Sequence, residues 1–226
     1  MKITRVEAFQ IETPRYYGKI SGHSIVKIYV ENGLVGLGEA SDSRAANLSS
    51  LTKRYNQLLV GCDTIRIVEI NEMLRQENFG STISNAHLVS AIDLALYDLN
   101  GKAQGVPACM LLGGWKGACT IFNVACVASG PIYVRRLFAL AEAAGLECLI
   151  GTDQESTLGT SAQVPVGVSM PNLNLPCDPM GPVLYTTSPA KKRIHAEGSY
   201  LYPPEGPGLG IELDEDKMKQ MTIVSA

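Results

Sequence analysis

The chain has 226 residues, 46% of them hydrophobic and 18% charged, with a formal net charge of -3 and a pI near 5.7. Such a composition can bury a core, which argues against a disordered chain, and it lacks the basic excess that nucleic-acid binding needs to neutralise phosphates. Residues Met1 to Phe9 form neither a basic-then-apolar signal nor an apolar span of about 20 residues, so the expectation is a cytoplasmic protein with no membrane association.

Ile3, Val6 and Phe9 open an alternating strand. Ser24 to Glu31 and Leu34 to Glu39 give two more, joined by Asn32-Gly33, a favoured pair for a tight hairpin. The expectation is an antiparallel meander. Between its first two strands, Thr13 to His23 reads as a loop with two tyrosines, Tyr16 and Tyr17, and two glycines. Aromatics on such loops either touch ligands or anchor the loop by packing.

Three helices are expected next, near Ala45 to Val60, Thr64 to Gln76 and Asn85 to Gln104. In the third, Leu88, Ile92, Ala95, Leu96 and Leu99 recur at three- and four-residue steps and lay one apolar stripe along the helix. Gly101, Gly105 and Pro107 punctuate its end, and Gly113-Gly114 reads as a loop.

The second half changes rhythm. Ile121 to Val127 suits a strand buried on both faces, Pro131 to Ala144 an amphipathic helix closed by Gly145, and Cys148 to Gly151 another buried strand. This is a β-α-β unit, which implies parallel strands. Leu158 to Met170 reads as a helix bent or shortened by Pro165 and Gly167, and Asn172 to Leu175 as a further strand. Glu212 to Met221 closes the chain as a helix whose Asp214, Glu215 and Asp216 precede Lys217 and Lys219, an order that complements the helix dipole.

The six cysteines have no Cys-x-x-Cys spacing and sit among apolar neighbours, so they read as small buried hydrophobes and not as zinc or disulfide sites. Gly206-Pro207-Gly208-Leu209-Gly210 follows no strand and is a turn, and the Walker and Gly-x-Ser-x-Gly patterns are absent.

Several segments together are similar to one family. They are Gly36-Leu37-Gly38-Glu39; Ala91 to Ala103 (Ala-Ile-Asp-Leu-Ala-Leu-Tyr-Asp-Leu-Asn-Gly-Lys-Ala); Gly105-Val106-Pro107 with Leu111-Leu112-Gly113-Gly114; Leu140 to Gly145; Gly151-Thr152-Asp153-Gln154-Glu155; and Gly206 to Gly210. In this order they cover most of the chain and resemble the mandelate racemase/muconate lactonizing branch of the enolase superfamily. The resemblance implies an α+β capping domain, made from the N-terminal third and the C-terminal tail, over a TIM-type barrel. It also implies Mg²⁺-assisted abstraction of the proton α to a carboxylate in a small acid-sugar, amino-acid or muconate-type substrate.

Length limits that expectation. A TIM barrel takes about 250 residues, and the capping part ends near Gly114. The stretch Ile121 to Gly130 resembles the sixth barrel strand, so strands one to five, which in the family carry a Lys-x-Lys pair and three Mg²⁺-binding carboxylates, are expected to be missing. The expected fold is therefore an α+β capping domain plus a partial α/β barrel whose parallel strands resemble strands six to eight. Its bounds are 1–114, 115–185 and a C-terminal tail 186–226. Ala125 stands where muconate-type relatives place a sixth-strand lysine, and Pro131 interrupts the matching glycine pair.

The surviving candidates are Glu155 and Asp178 as catalytic acids, and Tyr16, Tyr17, His23 and Asp153 as substrate contacts. Acids at loop starts equally often cap backbone N–H groups, and lone histidines such as His23, His87 and His195 are more often structural. No metal ligand set is expected in this chain. Two roles follow: an isomerase or dehydratase lineage whose sequence here is internally deleted or incomplete, any activity belonging to a full-length relative, or a non-catalytic remnant that binds or oligomerises. Open parallel strand edges favour a homo-oligomer.

Overall fold

The computed structural model describes residues 1–40, 47–77, 83–114, 130–173 and 175–225. Strands β1 (Ile3–Pro14), β2 (Ile20–Val30) and β3 (Val35–Ala40) form the expected antiparallel meander. The β2–β3 turn spans residues 31–34; Gly33 takes φ 83° there, and the Leu34 N–H donates to the Asn32 side chain at 3.2 Å. The first hairpin is longer than its sequence suggests. Pairing continues out to Pro14 and Ile20, so His23 lies within β2, opposite Ile11, and only residues 15–19 form the tip.

Helices α1 (Leu48–Leu59), α2 (Ile67–Glu77) and α3 (Ile83–Gln104) cover one face of this sheet. Ile3, Val6 and Ile28 from the strands meet Leu59, Leu74, Ile92, Leu96 and Leu99 from the helices in one apolar cluster. Each such side chain contributes roughly 1.5–3 kcal/mol when fully buried. Helix α3 lies unusually close to β3. A Cβ on Gly36 would come within 2.2 Å of the Ala95 carbonyl oxygen, and one on Gly38 within 1.8 Å of that of Ala91, so glycine at both positions is a packing requirement.

After the short α4 (Ala108–Leu111) come α5 (Pro131–Ala143) and α6 (Thr157–Ser169). Pro165 neither ends nor shortens α6, contrary to the sequence expectation. Residues 157–168 are buried all round, and that packing offsets the lost backbone bond of an internal proline. Of the expected parallel strands, Cys148 and Ile150 are bridge positions among the described residues. Cys148 and Leu173 share one parallel bridge, and the Asp178 N–H donates to the Ile150 carbonyl at 3.2 Å. The anticipated strand Ile121 to Val127 falls outside the described residues, as does Ala125.

The C-terminal segment runs through α7 (Gly181–Leu184), a two-residue ribbon of β4 (Ala196–Glu197) and β5 (Tyr200–Leu201), and α8 (Glu215–Met221). Asp214 caps α8 by accepting from the Lys217 N–H at 3.1 Å. β6 (Thr222–Ser225) then returns to the first sheet and pairs with β1, giving the order β3-β2-β1-β6. No described helix is long and apolar enough to cross a membrane.

Candidate functional site

Buried carboxylates of the N-terminal unit reach across to the main chain of later segments. Glu39, at the end of β3, accepts the Ser156 N–H at 2.7 Å, the Gly159 N–H at 2.9 Å and the Ser156 hydroxyl, closing the start of α6. Asp93 on α3 accepts the Ile132 N–H in the first turn of α5 at 3.2 Å and the Asn71 amide at 2.8 Å. Asp98, one turn further, accepts the Leu37 N–H at 2.8 Å, the Leu209 N–H at 2.7 Å and the Lys102 ammonium at 2.5 Å. Negative charge at a helix N-terminus is favourable, and exposed donors there need partners.

Burial pushes the Asp93 carboxyl up to about 6, against the Ile132 and Asn71 donors and the Arg75 charge. It raises Asp98 as well, opposed by Lys102. Glu39 goes the other way. Burial would lift it, but His23 and the Ser156 donors hold it below the usual carboxylate range.

Around this junction the structure gathers the candidates Asp153, Glu155, Asp178 and His23. Thr152 links both candidate acids: its N–H donates to Asp178 Oδ1 at 3.1 Å and its hydroxyl to Glu155 Oε2 at 3.0 Å. The Asp153 N–H donates to Glu155 Oε2 at 2.9 Å, and Thr160 Oγ1 lies 3.1 Å from Glu155 Oε1. Glu155 is 0% exposed, and burial, followed by the field of Glu39, pushes it up to about 7. Gln154 sits in this turn with φ 59°, held by Arg15 on its side-chain oxygen and by the Tyr185 hydroxyl on its carbonyl.

His23 is also 0% exposed, so it faces the interior and not a loop surface. Its Nδ1 lies 3.1 Å from Glu39 Oε1, and its ring meets Tyr185 edge-to-face at 5.3 Å. Tyr16 and Tyr17 stand apart at the hairpin tip, 59% and 90% exposed. The tip is tied down just beside them: Arg15 pairs with Tyr185, and the Thr186 N–H donates to the Pro14 carbonyl at 3.1 Å.

A Mg²⁺ site of the family's kind does not fit the described acids. Glu155 is sealed, with both its oxygens engaged by Thr152, Asp153 and Thr160, and Asp178 holds the Thr152 N–H. No group of three or more His, Cys, Asp and Glu among the described residues converges on a point. A cavity of about 780 Å³ between residues 192 and 211 is lined by Lys192, His195 and Tyr202, and none of the six candidate residues borders it.

The junction acids carry little local signal in the sequence. Glu39, Asp93 and Asp98 were visible only as letters within recurrent segments, and the roles of Ser156, Arg15 and Tyr185 had no local signal. The usable clue was a pair of aspartates set among the apolar positions of a helix, since a buried carboxylate is tolerated only with partners.

Comparison with known proteins agrees with this architecture. The family described as mandelate racemase / muconate lactonizing enzyme, N-terminal domain, matches residues 18–113, and the enolase C-terminal domain-like family matches residues 115–217. A muconate cycloisomerase of Acinetobacter lwoffii is 36% identical over 103 residues, which is 45% of this chain and 27% of that one. A D-galactonate dehydratase of Variovorax paradoxus is 33% identical over 118 residues, 50% of this chain and 28% of that one. The aligned part thus spans about a quarter of these curated relatives' length. The crystal structure of an isomerase from Streptomyces coelicolor has the same fold at a TM-score of 0.87 and 16% identity, over 97% of this chain and 98% of that one. With both family patterns matched in order along nearly its whole length, the chain belongs to the mandelate racemase/muconate lactonizing enzyme family of the enolase superfamily.

Proposed function

We propose that this chain is a non-catalytic member of an isomerase and dehydratase family, retaining the capping scaffold and serving as a binding or self-association module. The observation that carries this reading is the fate of its late acids. Glu155 with both oxygens and Asp178 with Oδ1 accept from the chain's own N–H and O–H donors, and among the described residues no group of three or more His, Cys, Asp and Glu converges on a point. Abstraction of a proton α to a carboxylate needs both a positioned base and stabilisation of the developing oxyanion.

Binding of a small carboxylate would fall to the hairpin tip, where Tyr16 and Tyr17 are free to cover a ligand. Calorimetry with Mg²⁺, alone and with a muconate or acid-sugar substrate, tests the reading. We expect no stoichiometric metal binding and no turnover; tight one-to-one Mg²⁺ binding accompanied by turnover would overturn it.

Self-association has its own support. Leu137 and Leu140 on α5, and Leu146 just after it, are 48%, 68% and 63% exposed, while Ile132, Val134 and Phe138 of the same helix are buried. Apolar side chains grouped on one face favour association.

A further inference from the structure

The cavity of about 780 Å³ between residues 192 and 211 is set apart from the buried acids of the junction, none of which borders it. Its volume lies in the roughly 300–1,000 Å³ range of small-molecule sites. The chain around the β4–β5 ribbon builds one wall. The Tyr202 N–H donates to the His195 carbonyl at 3.1 Å, just beyond the Ala196–Leu201 pair, and the two rings come together with centroids 5.1 Å apart and planes 36° from parallel. Ile194 and Ile211, each 7% exposed, add apolar lining. Gly210 completes the shape. Its φ is 62°, and a Cβ there would meet the Pro204 Cβ and carbonyl oxygen, both at 2.8 Å, so the 204–210 turn closes this tightly only with glycine.

The cations of this cavity lack close carboxylate partners. Lys191, beside it, holds Glu212 at 2.6 Å, but among the described residues neither Lys192 nor Arg193 forms an ion pair, Lys192 reaching Glu212 only through its field. Arg193 donates to the Pro182 carbonyl at 3.0 Å, the Tyr185 carbonyl at 3.2 Å and the Thr186 carbonyl at 3.4 Å, contacts that fix the guanidinium without neutralising it. Acids line the cavity too: Glu205, and Glu197, whose Oε2 lies 3.9 Å from His195 Nε2. Two cations and two acids in one cleft oppose a polyanion and suit a ligand that brings a single negative charge to Lys192 and Arg193.

We propose that this cavity binds a flat aromatic monocarboxylate, its ring against the His195–Tyr202 pair and its carboxylate at Lys192 and Arg193. A ring laid on that pair gains aromatic contact and displaces water from Ile194 and Ile211. The carboxylate meets an ammonium and a guanidinium through charge-assisted hydrogen bonds. The site is independent of any chemistry at the junction, since it uses neither Glu155 nor Asp178 nor the β1–β2 hairpin tip.

Titration of the isotope-labelled full chain with sodium benzoate at constant ionic strength, read by NMR, tests the site. Benzoate should shift the His195, Tyr202 and Ile211 signals and saturate at roughly millimolar concentration. Benzamide, which has the ring without the charge, and cyclohexanecarboxylate, which has the charge without the aromatic face, should each bind about threefold or more weakly. Lys192→Met should weaken benzoate binding about two- to fivefold, and Tyr202→Leu about threefold or more. Shifts that rise without saturating, shifts centred elsewhere in the chain, a control ligand that binds as well as benzoate, or an affinity that Lys192→Met leaves unchanged would each overturn the proposal. Should Tyr202→Leu fail to fold, the exposed Lys192→Met variant and the two control ligands decide by the same thresholds.

Discussion

Replacing Gly38 by alanine probes the closest approach in the fold. Gly38 has ordinary negative-φ backbone, so alanine carries no conformational penalty of its own, and the whole effect is steric. Its Cβ would lie 1.8 Å from the Ala91 carbonyl oxygen and 3.1 Å from the Ala95 amide nitrogen, both helix backbone that no rotamer change can move aside. β3 and α3 must therefore separate by more than about 1 Å, at a cost at or above the upper end of the roughly 1–3 kcal/mol typical of overpacking. The same movement stretches the Leu37 N–H bond to Asp98, now 2.8 Å, which adds about 1 kcal/mol. The expected total of about 3–4 kcal/mol is a large share of the roughly 5–15 kcal/mol that holds a domain together, and lowers Tm by about 10 °C. Gly33→Ala is the matched control. It has open space around it but φ 83°, so only backbone strain of about 1 kcal/mol is expected. Thermal and urea unfolding of both variants give the comparison. A Gly38→Ala chain no less stable than Gly33→Ala would refute the close-packing argument.

Glu39→Ala should cost about 3 kcal/mol, because the Ser156 N–H, Ser156 hydroxyl and Gly159 N–H lose their acceptor inside the protein; urea denaturation reads it, and a loss under about 1 kcal/mol would mean that other partners serve these donors. Asp93, raised from 3.8 to about 6, contributes stability that is complete below about pH 4 and is lost as pH climbs through 6; Asp93→Asn should flatten the stability profile read by urea denaturation between pH 4 and 7, and an unchanged slope there would refute the assignment. Replacing Leu137 and Leu140 with serine should weaken self-association in sedimentation without lowering Tm by more than a degree or two, since both side chains are already about half exposed or more; an unchanged sedimentation profile points to another surface.

The family and the outline of the N-terminal unit were legible in the sequence because their signals are local. Alternation from Ile3 onward, Asn32-Gly33, and the 3.6-residue stripe from Leu88 to Leu99 each fix a short segment, and the observed strands and helices follow them closely. The second half was less legible. A run such as Cys148 to Gly151 becomes a strand only where a neighbour supplies the other half of each hydrogen bond; Cys148 finds Leu173, 25 positions on, and Ile150 is a second bridge position. The candidate acids show the same limit. Glu155 and Asp178 are visible as residue types at segment ends, but Asp178 meets a donor 26 positions away, and Glu155 meets its nearby donors in a turn held by the distant Arg15 and Tyr185.

What the sequence by itself determined was the set of short-range choices: which residues alternate, which stripe a helix buries, where glycine permits a turn. Tertiary structure alone decided that Glu39, 117 residues before Ser156, caps α6; that Asp93 and Asp98 bind the first turn of α5 and the Leu209 amide; and that β6 completes the first sheet. The physical reason is the cost of leaving buried polar groups unpaired. That cost sets which distant donors and acceptors must meet, yet writes no pattern into the residues around either partner.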